Sequence, residues 1–138
     1  MNPQNSKIRS LGEIALRVRD LDGMQVFYQQ VVGLELMQRF EKIAFFRIAE
    51  GFAGHTQILA LFDRASQENY STPEARHTSV DHLAFTIALE DYDAEKSRLE
   101  ALGLAVTTAT HSWVHWRSLY FLDPEGNELE LVCYDDSV

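Results

Sequence analysis

The sequence predicts an α+β fold built from two tandem βαβββ modules. Short stretches with apolar residues at every second position predict half-buried strands. One stretch in each half has apolar residues at helical spacing and ends at a glycine, which is typical of a helix and its C-terminal stop. The order strand, helix and three strands occurs twice, about 70 residues apart, which indicates a duplicated module.

The first module is predicted from residues 8–66. Its first strand, residues 13–19, has Ile14, Leu16 and Val18 on one face and mostly polar residues on the other. A helix is predicted from Met24 to Val32, because apolar residues recur there at helical spacing and Gly33 follows. Three further strands are predicted over residues 34–40, 43–48 and 56–62.

The second module is predicted from residues 79–136, after a polar linker at 67–78 that has no periodicity. It repeats the order with a strand at 81–88, a helix at 90–102 that Gly103 stops, and a strand at 104–110. The last two strands flank Asp123-Pro124-Glu125-Gly126, in which Asp, Pro and Gly are each favoured for a tight turn.

The two halves align residue by residue. The segment beginning at Glu13 lies over the one beginning at His82, and the segment beginning at Ile58 lies over the one beginning at Glu128. In each predicted sheet one face is apolar and is expected to pack on its helix. The opposite face carries unexpected polar residues: Glu13, His82, Glu128 and Glu130. Carboxylates and an imidazole on such a face predict a polar functional site.

Composition excludes several classes of protein. The formal net charge of −9 argues against a nucleic acid or an anionic membrane surface as partner. No apolar run is long enough to span a membrane, and the polar N-terminus lacks the core of a signal peptide. The single cysteine, Cys133, is predicted to be a buried small hydrophobe. We therefore expect a soluble cytoplasmic protein.

Four segments resemble the vicinal oxygen chelate superfamily, which includes glyoxalase I, bleomycin- and fosfomycin-resistance proteins, methylmalonyl-CoA epimerase and the extradiol dioxygenases. They are residues 14–21, 27–34, 81–85 and 120–131. The resemblance implies that the modules form a curved, barrel-like mixed sheet with the helices outside. It also implies a homodimer, since members of the family often build the cleft from modules of two chains.

The resemblance implies that a divalent metal is bound by Glu13, His82 and Glu130. The chain departs from the family at two places: a histidine is usual at position 13, and Ala60 stands where glyoxalase I has another glutamate. One imidazole and two carboxylates suit iron, manganese, zinc or nickel, and the sequence does not select one of them.

Further site residues are predicted from weaker signals. His111, Tyr120 and Glu130 are similar in order and spacing to the His, Tyr and ligand Glu on the catalytic strand pair of the extradiol dioxygenases. The segment around His55 is similar to the one that holds their acid–base histidine. Arg117 is a candidate contact for an acidic substrate. Trp113 and Trp116 lie in an aromatic-rich run, where two interpretations remain open: a wall that stacks on a flat substrate, or packing on the core or a dimer interface.

Two functional hypotheses follow. The first is a divalent-metal-dependent enzyme of lyase, isomerase, thiol transferase or dioxygenase type, acting on a small oxygen-rich substrate in the cleft between modules. The alternative is a metal-free protein that binds small molecules of drug type. The departures at Glu13 and Ala60 favour the alternative, and the position of His82 and Glu130 favours the enzyme.

Overall fold

A computed structural model describes residues 6–67, 71 and 78–138 of the chain. The chain divides into two compact units, residues 1–71 and 72–138. Most of the predicted linker, residues 68–70 and 72–77, lies outside the described residues. Each unit contains one helical segment and one four-stranded sheet.

The first unit contains four strands and a two-part helix. In chain order these are β1 (Glu13–Val18), α1 (Leu21–Val26), a π-helical segment (Phe27–Val32), β2 (Glu35–Arg39), β3 (Ile43–Glu50) and β4 (Thr56–Asp63). The strand order in the sheet is β1-β4-β3-β2. The β1–β4 pair is parallel, and the other two pairs are antiparallel.

Local chemistry explains where this helix begins and ends. The Asp20 carboxylate accepts a hydrogen bond of 3.0 Å from the Gly23 amide, which satisfies one of the free donors at the N-terminus. Met24 and Tyr28 are fully buried on the face that packs on the sheet. Gly33 has a φ of 87°, a conformation that glycine adopts without a steric penalty, and the helix stops there.

The second unit repeats the same order of elements. It contains β5 (Leu83–Thr86), a short 3₁₀ turn (Leu89–Asp91), α2 (Tyr92–Ala101), β6 (Thr107–His111), β7 (Trp116–Leu122) and β8 (Glu128–Tyr134). The strand order β5-β8-β7-β6 matches that of the first unit, with a parallel β5–β8 pair. The predicted α+β class and the tandem βαβββ modules are therefore confirmed.

The turn between β7 and β8 forms as its sequence predicts. The buried Asp123 carboxylate accepts hydrogen bonds of 2.9 Å from the amides of Glu125 and Asn127, and a bond of 2.8 Å from the Asn127 side chain. Gly126 takes a φ of 85°. These bonds fix the register of β7 on β8, which brings Tyr120 opposite Glu130.

One face of each sheet carries the core of its unit. Leu59, Leu61 and Phe46 are fully buried in the first unit, and Leu119, Leu129 and Leu99 are fully buried in the second. Cys133 is buried on the same face of β8 as Leu129, as predicted. Among the described residues, no helix has both the length and the apolar character needed to cross a membrane.

Candidate metal and acid–base site

The second unit gathers four predicted site residues on the sheet face that points away from α2. The register places Tyr120 on β7 opposite Glu130 on β8, so both side chains lie on this face. His111, at the end of β6, lies on the same face, and its ring reaches Tyr120. His82 lies directly before β5, whose Ala84 pairs with Glu130.

His82 lies between two carboxylates. Its Nδ1 is 2.7 Å from Asp81 Oδ2, and its Nε2 is 3.3 Å from Glu130 Oε2. The Asp81 side chain is exposed, whereas Glu130 is only 6% exposed. The hydrogen bond to Asp81, followed by the negative charge of Glu130, raises the pKa of His82, and burial opposes this change.

The contacts of His82 favour a positive charge at this point. An ionised carboxylate only accepts hydrogen bonds, so the Asp81 contact places a proton on Nδ1 of the ring. In a neutral imidazole the unprotonated Nε2 would then lie 3.3 Å from the Glu130 oxygen, an approach that is electrostatically unfavourable. A second proton on Nε2, or a cation held by both atoms, removes this repulsion.

The geometry fits a metal ion. Imidazole nitrogen and carboxylate oxygen bind divalent zinc at about 2.0–2.2 Å, so two such ligands at tetrahedral or octahedral angles lie about 3.0–3.5 Å apart. The separation of 3.3 Å between His82 Nε2 and Glu130 Oε2 falls in this range. Asp81 holds the other ring nitrogen, as carboxylates commonly do behind a metal-binding histidine.

Tyr120 links Glu130 to His111. The Tyr120 hydroxyl donates to Glu130 Oε1 at 2.9 Å, and His111 Nε2 lies 3.2 Å from the same hydroxyl oxygen. Because the single Tyr120 proton is directed to Glu130, His111 must donate from Nε2. Burial, and then the hydrogen bond to Glu130, raise the pKa of Tyr120, so this hydroxyl keeps its proton at neutral pH.

Two of the predicted site residues lie in the first unit. Glu13 begins β1, is exposed and pairs in register with Ile58. His55 is exposed in the turn before β4, and its ring lies beside Gly12, where an added Cβ would stand 3.5 Å from His55 Cε1. The described residues contain no cluster of three or more His, Cys, Asp or Glu side chains arranged for a metal ion.

The register also gives the counterpart of the Glu130–Tyr120 pair in the first unit. Ala60 pairs with Ala15 on β1 and with Phe45 on β3, just as Glu130 pairs with Ala84 on β5 and with Tyr120 on β7. The first unit therefore carries an alanine and a phenylalanine where the second carries a carboxylate and a phenol. This face of the first sheet has no ligand of its own at that position.

Arg117 lies on the opposite face of β7 from Tyr120. Its guanidinium stacks over the Tyr92 ring at 4.4 Å and is 3.4 Å from Asp135. With Tyr92 and Lys96 it lines a cavity of about 450 Å³ on the α2 side of the sheet. The structure therefore separates Arg117 from the group formed by His82, Glu130, Tyr120 and His111.

The two tryptophans lie beside His111. Trp116 pairs in register with His111 and shares its sheet face, while Trp113 occupies the turn between β6 and β7. Their ring centroids are 6.4 Å apart, and Trp113 is 82% exposed.

Asp81 had no predicted role, although an acid directly before a candidate metal-binding histidine could have suggested one.

Comparison with known proteins agrees with this architecture. The profile of the Glyoxalase/Bleomycin resistance protein/Dioxygenase superfamily matches residues 10–131. Glutathione transferase FosA of Serratia marcescens is 32% identical over 90% of this chain and 80% of its own length. Metallothiol transferase FosB of Bacillus licheniformis is 27% identical over 93% of this chain and 77% of its own length.

A solved structure extends the similarity to three dimensions. The lactoylglutathione lyase of Agrobacterium tumefaciens superposes with a TM-score of 0.64 at 31% identity, covering 93% of this chain and 96% of the lyase. The profile match spans both βαβββ units and includes His82, Tyr120 and Glu130. The chain belongs to the Glyoxalase/Bleomycin resistance protein/Dioxygenase superfamily.

Proposed function

We propose that the protein is a divalent-metal-dependent enzyme that joins a thiol to a small oxygen-rich molecule. The single observation that carries this proposal is the approach of His82 Nε2 to Glu130 Oε2 at 3.3 Å, with Asp81 fixing the other ring nitrogen. The names of the relatives support this reaction type, since they are a glutathione transferase, a metallothiol transferase and a lactoylglutathione lyase. All three names refer to a thiol or a thiol conjugate.

His82 and Glu130 would hold the metal. A bound divalent ion would act as a Lewis acid that draws charge from two neighbouring oxygens of the substrate. Glu130 is 6% exposed, and a buried carboxylate is costly without a compensating cation, so the protein itself favours a cation at this point. The prediction that Glu13 supplies a third ligand stays part of the proposal and is tested by Glu13→Gln.

Tyr120 and His111 would handle the proton. The Tyr120 hydroxyl is protonated at neutral pH and lies one hydrogen bond from Glu130. The thiol first loses its proton to solvent. The thiolate then forms a carbon–sulfur bond while a carbon–oxygen bond of the substrate breaks, and the released oxygen, which carries the negative charge, needs a proton. Tyr120 can donate that proton, and His111 at 3.2 Å can stabilise the phenol oxygen as it loses it.

Metal analysis of purified protein tests the proposal. We expect close to one divalent ion per chain, with metal lost from His82→Ala and Glu130→Ala. Glu90→Ala is the matched control, because Glu90 is an exposed carboxylate of the same unit and lies in the short turn before α2. Full metal retention in both His82→Ala and Glu130→Ala would remove the proposal.

Activity is tested as loss of free thiol. Glutathione is incubated with fosfomycin as the electrophile, since fosfomycin-resistance proteins are among the proteins that the sequence resembles. We expect metal-dependent consumption of glutathione that Tyr120→Phe slows while its metal content stays normal. Consumption at the same rate in protein treated with chelator would contradict a role for the metal.

The alternative is a metal-free small-molecule binding protein. One observation favours it: the first unit presents Ala60 and Phe45 at the positions equivalent to Glu130 and Tyr120. Under this alternative, protonated His82 balances Glu130, and a ligand binds equally well with and without chelator. The metal analysis above separates the two functions.

A further inference from the structure

The group formed by His82, Glu130, Tyr120 and His111 continues into a pair of tryptophans on the same unit. Hydrogen bonds of 2.9 and 3.2 Å lead from Glu130 through Tyr120 to the His111 ring. His111 pairs in register with Trp116, so their Cβ atoms lie about 5 Å apart on one face of the sheet. A ligand that starts at Glu130 and follows this face reaches the indole of Trp116 next.

Both tryptophans lie largely outside the packed core of the second unit. Trp113 is 82% exposed and Trp116 is 43% exposed, although indoles are usually well buried. They are the only two tryptophans of the chain. Neither belongs to the buried core of the second unit, so their apolar area contributes little to its stability.

The geometry of the pair limits how a ring can bind. The ring centroids are 6.4 Å apart and the planes are inclined at 44°. A third ring between two parallel rings needs about 7 Å, twice the usual stacking distance, so insertion between the indoles does not fit. An aromatic group can instead lie on the exposed indole faces, which form an angled surface.

We propose that Trp113 and Trp116 bind a planar aromatic group of the substrate while its oxygen-bearing end lies at His82 and Glu130. This inference rests on the proposed function and deepens it by naming the substrate class. The substrate carries two neighbouring oxygens at one end, an extended linker of several bonds, and an aromatic ring at the other. Planarity is required because the ring binds by stacking.

Hydroxamates of matched length test this inference. A hydroxamate presents two neighbouring oxygens to a metal. The affinities of three hydroxamates for the zinc-loaded protein are measured by calorimetry. They are hexanohydroxamate, 6-phenylhexanohydroxamate and 6-cyclohexylhexanohydroxamate. We expect the phenyl compound to bind about tenfold more tightly than hexanohydroxamate, and more tightly than the cyclohexyl compound. Tryptophan fluorescence should change with the phenyl compound, and it reports on this site alone because the chain has two tryptophans.

Variants locate the effect. Trp113→Leu and Trp116→Leu should each reduce the advantage of the phenyl group, while hexanohydroxamate binds as before. Phe52→Leu is the matched control, since Phe52 is an exposed aromatic residue of the first unit at 58% exposure. It should leave all three affinities unchanged.

The outcomes separate this inference from the proposed function. If hexanohydroxamate binds equally with and without zinc, or does not bind, the proposed metal function fails. If it binds only with zinc and the phenyl group adds nothing, the inference about the tryptophans is wrong and the proposed function survives. Equal binding of phenyl and cyclohexyl compounds would overturn the requirement for a planar group. Loss of a dimer in Trp113→Leu, measured by sedimentation, together with no phenyl effect, would assign the pair to a subunit contact instead.

Discussion

Replacing Tyr120 with phenylalanine removes one hydroxyl that serves two partners. The hydroxyl donates to Glu130 at 2.9 Å and lies 3.2 Å from His111 Nε2. Glu130 is 6% exposed, so water cannot readily replace the lost donor. A hydrogen bond to a charged group contributes about 1.5–3 kcal/mol, and we expect the free energy of unfolding of the metal-free variant to fall by that amount.

Zinc should reduce this loss. With a cation at Glu130 the carboxylate is already compensated, so removal of the Tyr120 donor costs less. Urea unfolding with chelator and with zinc measures both values. Tyr134→Phe is the matched control, because Tyr134 is 61% exposed, and its unfolding free energy should change by less than about 0.5 kcal/mol. This reasoning would be refuted if Tyr120→Phe lowered the free energy of unfolding of the metal-free protein by less than about 0.5 kcal/mol, or by the same amount with and without zinc.

Three further predictions concern pH, the turn and the core. The pKa of His82 is raised in the folded protein. Its contribution to the stability of the metal-free protein is therefore fully present below about pH 6.5 and is lost as the pH rises through the folded pKa. Thermal unfolding at pH 5.5 and 8.5 should show this dependence in the parent protein and a weaker one in His82→Gln. Asp123→Ala removes the acceptor of three hydrogen bonds in the turn before β8 and should lower the free energy of unfolding by about 2–3 kcal/mol, while the exposed Asp136→Ala should not. Leu99 is fully buried, so Leu99→Ala should lower the free energy of unfolding in urea by about 3–4 kcal/mol. Leu102 is 54% exposed, so Leu102→Ala should lower it by less than about 1 kcal/mol. Equal decreases for the two variants would contradict the packing of α2.

The architecture could be predicted because strand alternation and the internal repeat agree. Alternation in residues 13–18 and 128–134 assigns each side chain to one face, and the observed registers keep those assignments. The helix was harder, because apolar spacing does not distinguish an α-helix from the π-helical segment Phe27–Val32. Met24 in the α-helical part and Tyr28 in the π-helical part, four residues apart, are both fully buried.

The candidate site was predictable in part. Glu130, Tyr120 and His111 were predicted from the resemblance to the superfamily, and the structure brings them together with His82. Asp81 was missed because the predicted strand began there, and alternation would then direct it away from His82. The observed β5 begins at Leu83, so Asp81 lies outside the strand and its carboxylate can turn back to the ring.

Arg117 shows the reverse case. Its identity suggested a contact for an acidic substrate, but it is three positions from Tyr120, and an odd spacing within a strand places two side chains on opposite faces. Its stacking on Tyr92 follows from that position. Odd or even spacing along the strand therefore predicts the sheet face of Arg117 better than its residue type does.

The equivalence of Ala60 with Glu130, and of Phe45 with Tyr120, has a consequence for specificity. The two sheets offer the same backbone positions to different side chains. Substitutions on the face of the first sheet can therefore change which molecule the protein accepts without altering the hydrogen bonds of Glu130 and Tyr120 in the second.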